Sequence, residues 1–281
     1  MYKILKNEKI SPDSYLMDVV APDAIRNAKP GQFVIVMAKK DSERIPLTIY
    51  DYDIEKGILS LIYQVIGAST DELSTLTEKD EVFAVAGPLG KANEICANPE
   101  EFKGKRIVYV AGGAGIAPVY PQVKYLQQHG FEVDIIYGSR YKELLLIRDE
   151  IEKVAKNVYY ATDDGSYGEQ GLVTAILERN IQNYDICVAI GPMIMMKNVA
   201  ELTKKYNIKT IVSLNPIMVD GSGMCGACRC EIEGKPKFAC IDGPEFDGHK
   251  VNFDLAMKRM KIYKDEEKEK WEQMKKILGK E

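Results

Sequence analysis

Apolar positions along this chain fall into two regimes. Through the first hundred residues they form short runs: FVIVMA (33–38), GILSLIYQVI (57–66) and EVFAVAG (81–87). Turn-forming quartets, Lys29-Pro30-Gly31-Gln32 and Gly87-Pro88-Leu89-Gly90, punctuate them. Short strands at this spacing predict a small antiparallel barrel or sandwich. The pattern changes after the polar stretch NPEEFKGK near residue 100. From there RIVYVA (106–111), FEVDIIYG (131–138), NVYYAT (157–162), YDICVAIG (184–191) and IKTIVSL (208–214) alternate with helix-like segments. Apolar strands separated by helices predict βαβ units and a parallel sheet covered on both faces.

Two further segments break this rhythm. Residues 216–250 are rich in Gly, Cys and Asp and lack periodicity, so they bury little apolar surface unaided, and a metal centre would supply the missing organisation. Residues 251–281 are dense in Lys and Glu, with Trp271, Met274 and Leu278 on one helical stripe. That stripe reads as the thin docking face of a solvated helix, or as a contact for a partner subunit. The expected organisation is a β domain over 1–99, an α/β domain over 100–215, a cysteine-rich segment over 216–250 and a helical tail over 251–281.

Composition narrows the class. In 281 residues, 38 Lys and Arg stand against 42 Asp and Glu, a net charge of −4 with no field of one sign. Binding to nucleic acid or to a membrane surface has no support in that balance. The amino terminus, MYKILKNEKI, lacks the apolar run of a signal peptide, and Ile107–Tyr120 is short and broken by glycines. A cytoplasmic location is therefore expected.

Six cysteines are present, four of them between residues 225 and 240. In a reducing compartment such crowding points to a metal site rather than disulfides. The spacing Asp220-x4-Cys225-x2-Cys228-x11-Cys240 follows the plant-type [2Fe–2S] pattern, with aspartate in the first cysteine position. Three thiolates and one carboxylate complete the four terminal ligands, and the harder oxygen donor alters the redox potential. The glycines between them let a loop wrap tightly around the cluster. Cys230 competes with Asp220 as fourth ligand, through a tight C-x-C chelate. A structural zinc is the alternative for the whole group, although the paired C-x2-C spacing of such sites is missing. Cys96 and Cys187 read as small buried hydrophobes.

Strand RIVYVA runs into Gly112-Gly113-Ala114-Gly115-Ile116-Ala117-Pro118 and then a helix. A strand, a glycine turn and a helix amino terminus form a phosphate site. Three more turns follow the next strands: Gly138-Ser139-Arg140, Thr162-Asp163-Asp164-Gly165 and Gly191-Pro192-Met193. All lie at carboxyl ends of parallel strands, where open α/β sheets bind ligands. Arg140 suits a phosphate or an adenine face, or is simply a surface arginine.

Together these pieces resemble the ferredoxin–NADP reductase superfamily. The resemblance implies a flavin barrel followed by a Rossmann-like nicotinamide domain, here with GGAGIAP (112–118). Arg44-Ile45-Pro46-Leu47-Thr48 resembles the family's flavin motif. There the arginine pairs with the FAD pyrophosphate and the hydroxyl sits near the reactive flavin nitrogen, which implies roles for Arg44, Pro46, Leu47 and Thr48. An arginine fork suits a diphosphate. Gly67-Ala68-Ser69-Thr70 resembles the second pyrophosphate turn, and Pro30-Gly31-Gln32-Phe33 the strand entry of these barrels. The implied NAD(H) contacts are Gly112, Gly113, Gly115, Ala117, Pro118, Gly138, Arg140, Asp163, Gly191, Pro192 and Met193. The implied cluster ligands are Asp220, Cys225, Cys228 and Cys240.

The trailing iron–sulfur segment narrows the resemblance. Dihydroorotate dehydrogenase electron-transfer subunits share the three-part layout and a stretch similar to TDDGSYGE (162–169), but use four cysteines. Asp220, FDGHKVNFD (246–254) and the charged tail more closely resemble the small subunits of NADH-dependent reduced ferredoxin:NADP+ oxidoreductases. That family implies FAD, one [2Fe–2S] cluster and NAD(H) in this chain. It also implies a larger partner with a second, bifurcating FAD, two [4Fe–4S] clusters and the sites for NADP(H) and ferredoxin. Many superfamily members carry a cysteine just before the fourth turn's Gly-Pro. Ile190 stands there here, so a cysteine-assisted hydride step is not expected. The alternatives are a dihydroorotate dehydrogenase electron-transfer subunit and a zinc-stabilised nucleotide-binding regulatory subunit. His129 and His249, the only histidines, are assigned no chemistry.

Overall fold

The computed structural model describes residues 1–279; Lys280 and Glu281 of the expected tail lie outside them. The amino-terminal sheet contains β1 (Tyr2–Lys9), β2 (Ser14–Val20), β3 (Phe33–Met37), β4 (Ile45–Asp53), β5 (Ile58–Gln64), β6 (Glu81–Val82) and β7 (Ala84–Leu89). Its spatial order is β6-β1-β2-β5-β4-β3-β7, antiparallel throughout. Strands β6 and β7 stand at opposite ends of that order, yet only Phe83 separates them in the chain. The sheet therefore curls round until its edges approach, a half-barrel rather than a flat sandwich. Its inward positions, among them Ile4, Met17, Val34, Leu59 and Leu61, are fully buried. Two short helices flank it: α1 (Pro22–Ile25) and α2 (Ala68–Ser74). A third, α3 (Glu94–Ala97), leads out of it.

The second sheet holds β8 (Ile107–Gly112), β9 (Val133–Ser139), β10 (Asn157–Thr162), β11 (Glu169–Gln170), β12 (Ile186–Ile190) and β13 (Lys209–Ser213). These strands are parallel, in the order β11-β10-β9-β8-β12-β13. The apolar runs explain this: all of Ile107–Gly112 and Ile186–Ile190 is buried, as a strand covered on both faces requires. Helices α4 (Ile116–Gln128), α5 (Arg148–Val154), α6 (Val173–Asn180) and α7 (Met193–Lys205) supply that cover.

The cysteine-rich segment is woven into both sheets. It contains the hairpin β14 (Arg229–Ile232) and β15 (Lys235–Phe238), the turn of helix α8 (Ala239–Asp242), and β16 (Glu245–Asp247). Strand β16 adds antiparallel to β13 at the edge of the parallel sheet, pairing Val212 with Phe246. On its other side the segment packs on the half-barrel: Phe33, Ile35, Met218, Cys228, Ala239 and Cys240 share one buried cluster. Helix α9 (Phe253–Arg259) follows, and α10 (Lys264–Ile277) returns to the half-barrel, where Trp271 Nε1 donates to Asp71 Oδ2 at 3.0 Å. The tryptophan stripe thus meets this chain's own α2. No helix among the described residues is long and apolar enough to cross a membrane.

Candidate functional site

Three groups of residues lie where the two sheets and the cysteine segment meet. The first is on the half-barrel. Pro46, Leu47 and Thr48 are half-buried in β4, with Thr48 paired to Phe33 of β3, and Arg44 is exposed just ahead of them. Gly67 precedes α2 in an extended conformation. Thr70 is committed to the turn itself: its Oγ1 accepts from the N–H groups of Ile66 and Gly67 at 3.1 and 3.2 Å and donates to Gly67 O. Ser69 Oγ donates to Glu43 Oε2 at 2.7 Å. This bond ties the loop before Arg44 to the start of α2. Glu43, which also pairs with Lys270, has its carboxyl held below the usual range chiefly by that lysine.

The second group is the set of turns at the carboxyl edge of the parallel sheet. Gly112 and Gly138 lie opposite each other in β8 and β9, and Ala111 lies opposite Ile190 in β12. The four turns are therefore level. Close approach explains the glycines. A Cβ on Gly115 would sit 2.2 Å from Ile190 O, and one on Gly112 would sit 2.6 Å from Met195 Sδ. A Cβ on Gly138 would meet Val173 Cγ1 at 2.5 Å. Gly113 differs: it has φ +54° and nothing within 4 Å of where a Cβ would be, so its requirement is backbone conformation and an open face. Pro118 is half-buried at the start of α4, whose amino terminus follows the turn directly. Ala117 and Met193 are buried, Met193 in the core beside β12, so they shape the turns from beneath. Arg140 and Asp163 are exposed at the second and third turns. Arg140 lies over the Tyr141 ring at 5.9 Å, and Asp163 N donates to Ser139 O. A groove of about 760 Å³ opens at the opposite edge, lined by Lys105, Arg106, Asp134 and Lys156, away from all these residues.

The third group is the cysteine loop. Positive φ at Gly221, Gly223 and Gly226 lets the chain wrap back on itself. A Cβ on Gly221 would collide with Ile35 and Leu89 of the half-barrel at 2.8 Å. The donors form two pairs. Asp220 Oδ1 accepts from Ser222 N at 2.8 Å, and this bond, with a contribution from the Cys225 thiol, holds the carboxyl below its usual range. Cys228 Sγ lies 3.2 Å from Cys240 Sγ and accepts from Cys240 N at 3.4 Å. Burial, then the neighbouring Cys228, raise the Cys240 thiol. Among the described residues no three acidic, cysteine or histidine side chains converge on a single ion. The contacts instead link Asp220 with Cys225, and Cys228 with Cys240. Cys230 takes no part in either pair: its Sγ points to Lys237 O at 3.5 Å and packs with the core beneath β14. Cys96 and Cys187 are buried in the two core layers and their thiols are raised by burial.

Sequence reasoning did not find the contacts that join these groups. Tyr50, two residues beyond Thr48, stacks on Tyr120 of α4 with centroids 4.9 Å apart, and Lys124 donates to Asp51 at 2.6 Å. These pairs couple the Arg44–Thr48 strand to the helix that begins at the glycine turn. They are some seventy positions apart in sequence, and no local pattern signals them.

A half-barrel bearing an arginine motif, a parallel sheet with four level turns and an appended two-pair cysteine loop define the class: an oxidoreductase of ferredoxin–NADP reductase type carrying an iron–sulfur segment. Residues 215–252 match the iron–sulfur cluster binding domain of dihydroorotate dehydrogenase B, and residues 109–201 match the oxidoreductase NAD-binding domain. The chain belongs to the family of dihydroorotate dehydrogenase B electron-transfer subunits and their homologues. It is 40% identical to an electron-transfer subunit homologue from Thermotoga maritima, over 99% of this chain and 96% of that one. It is 50% identical to a Clostridium beijerinckii protein known from the region 3′ of adh, over 95% and 92% of the two chains. It also superposes on a chain of the NADH-dependent reduced ferredoxin–NADP oxidoreductase, whose structure concerns flavin-based electron bifurcation. That match has a TM-score of 0.87 and 38% identity and covers 97% of both chains. Several such relatives are named as electron-transfer subunits.

Proposed function

We propose that this chain is the NAD(H)-reactive small subunit of an electron-bifurcating NADH-dependent ferredoxin:NADP+ oxidoreductase, passing electrons between NAD(H), FAD and one [2Fe–2S] cluster. The observation that carries the reading is the position of Phe33. It pairs with Thr48 of the flavin strand and packs in the same buried cluster as Cys228 and Cys240. Likeness across almost the whole chain to the bifurcating oxidoreductase, including the tail, favours this reading over a dihydroorotate dehydrogenase subunit. The match of residues 215–252 to an iron–sulfur domain counts against zinc.

When bound, the flavin exchanges electrons in pairs with nicotinamide and singly with the iron–sulfur centre. The chain's residues hold and space these groups. Arg44 offers a guanidinium fork to the FAD diphosphate, with Gly67 and Ser69 opening the second turn. Thr48 presents a hydroxyl toward the flavin ring, and Pro46 and Leu47 fix its strand. Gly112, Gly113 and Gly115 expose backbone N–H groups to the dinucleotide pyrophosphate at the start of α4, with Ala117 and Pro118 packing the turn. Gly138, Arg140 and Asp163 face the adenosine end, and Gly191, Pro192 and Met193 close the fourth turn. Asp220 with Cys225, and Cys228 with Cys240, hold the two irons. Ile190 offers no thiol to the hydride step. The partner in this reading is the larger subunit with its own flavin and [4Fe–4S] clusters, binding NADP(H) and ferredoxin. The pair works in the cytoplasm.

Anaerobic titration with NADH and with NADPH, followed by visible absorbance and low-temperature EPR, tests this. Bleaching of flavin by NADH in preference to NADPH, with a [2Fe–2S] signal on full reduction, is expected. A colourless protein that binds zinc would overturn it.

A further inference from the structure

Glu245 opens β16, five residues beyond Cys240, where the cysteine segment re-enters the parallel sheet. Its neighbour Phe246 packs against the cluster containing Cys228 and Cys240. Glu245 faces the other way, as alternation along a strand dictates. Its Oε2 accepts from Asn93 Nδ2 and its Oε1 from Gln122 Nε2, both at 2.7 Å. Asn93 and Gln122 are both 0% exposed. Asn93 N donates to Pro30 O in the half-barrel, and its Oδ1 caps α3 by accepting from Cys96 N. Gln122 belongs to α4, the helix that starts at the glycine turn. One carboxyl therefore ties together the half-barrel, the dinucleotide helix and the cysteine segment.

No counter-charge accompanies it. The groups that face it are Glu94 and Cys96 of α3 and Tyr109 of β8, all neutral or acidic. The nearby cation, Lys209, is taken by Glu94 at 2.8 Å. Asp247, on its own strand, is exposed. Glu245 is half-buried, and a carboxylate held there only by neutral amides is costly unless it can take a proton. The surroundings allow that. Gln122 Oε1 and Tyr109 Oη are both buried without a partner. Turning the Gln122 amide over brings its oxygen to the carboxyl, where a protonated Glu245 donates to it. Burial, opposed by the two amide donors, pushes the carboxyl up to about 7.

We propose that Glu245 is a redox-linked proton site: it takes up one proton from solvent as one electron enters the metal centre on the other face of its strand, that electron being one of the two that reduced nicotinamide delivers as hydride to the flavin, where the second stays. The electron reduces the centre, the proton forms one O–H bond, and both depart on reoxidation. Added negative charge raises the proton affinity of the carboxyl, and by reciprocity the proton makes reduction easier. The inference rests on the cofactor reading above.

Potentiometric titration of the complete, cofactor-loaded protein, read by low-temperature EPR between about pH 6 and about pH 9, tests it, because EPR follows the cluster separately from the flavin. The cluster potential is expected to fall with rising pH around neutrality. In Glu245→Gln it should be flat, with the EPR spectrum otherwise intact. Reduced-minus-oxidised infrared spectra of the native protein should gain a protonated-carboxyl band that shifts when glutamate is labelled with carbon-13. A pH-independent potential in the native protein would overturn the proposal, as would a Glu245→Gln protein that keeps the native slope. The native titration and infrared spectrum decide the matter even where the variant does not fold. Absence of any [2Fe–2S] signal would overturn the cofactor reading as well, which separates that failure from this one.

Discussion

Trp271 donates its indole N–H to Asp71 Oδ2 across two hundred positions of sequence, fastening the last helix to the short helix that follows Gly67. Lys270, its neighbour, pairs with Glu43 beside Arg44. The contact is partly exposed, so the expected effect is modest. Trp271→Phe removes a hydrogen bond to a carboxylate and should cost about 1–2 kcal/mol. It should also raise amide exchange across residues 264–279 before any other region. Trp271 is the only tryptophan, so fluorescence of the native protein should shift to the red in an early step that reports α10 leaving α2. A fluorescence change that coincides with global unfolding would argue against independent release.

The choice between Asp220 and Cys230 as fourth ligand, which spacing alone left open, is decided by substitution. Cys228→Ser or Cys240→Ser breaks the 3.2 Å pair and should abolish or strongly deplete the cluster. Cys230→Ser should retain it, because that thiol points to Lys237 O and into the core. Asp220→Cys should keep a cluster with altered EPR values and potential, since thiolate replaces a harder oxygen donor. Iron and sulfide analysis with EPR on the purified variants checks all four. A Cys230→Ser protein without a cluster would remove Asp220 from the ligand set.

Much of this architecture was legible in the sequence, because its signals are local. The five βαβ strands were marked by apolar runs alternating with helix-like segments, and β8, β9, β10, β12 and β13 fall on them; in β8 and β12 the run is buried throughout, as a doubly covered strand requires. The glycines of 112–115 announced a tight turn. Strands β1 and β2 carried weaker signals, since one face of each is wet and charged residues interrupt them, as in YKILKNEK. Strand β16 was hidden inside a cysteine-rich loop, and its pairing with β13 is a long-range event. The Tyr50–Tyr120 stack and the Glu245 network share that character. They join residues from separate modules, and one sequence holds no pattern for which distant side chains will meet.

Gly115 offers a sharper test of the dinucleotide turn than the other glycines. A methyl group there would lie 2.2 Å from Ile190 O, a backbone atom that cannot rotate away. Gly115→Ala should therefore push the first turn away from the fourth and weaken NADH binding by at least tenfold, while leaving the flavin and iron–sulfur spectra unchanged. Gly113→Ala meets no atom within 4 Å and carries only the cost of φ +54°, roughly 1 kcal/mol. Stopped-flow flavin reduction over a range of NADH concentrations distinguishes them. Equal losses in the two variants would mean that the turns do not need the close approach.

Glu245 also sets a pH dependence of stability whose sign follows from its surroundings. The carboxyl is raised to about 7 in the folded protein, against about 4.3 in an unfolded chain. Between those values the folded state holds the extra proton, so stability falls as pH rises through that window and levels off above it. The full change should be about 2–4 kcal/mol. Glu245→Gln replaces the titrating group with a neutral one of the same shape, and its amide can pair with a turned-over Gln122. The variant should lack this fall and should be more stable than the native protein at about pH 8. Denaturant unfolding at several pH values, with and without the cofactors, measures both. Native stability that stays level or climbs between about pH 5 and about pH 7, with the variant following it, would show that the carboxyl is already ionised and better solvated than its enclosure by Asn93 and Gln122 implies.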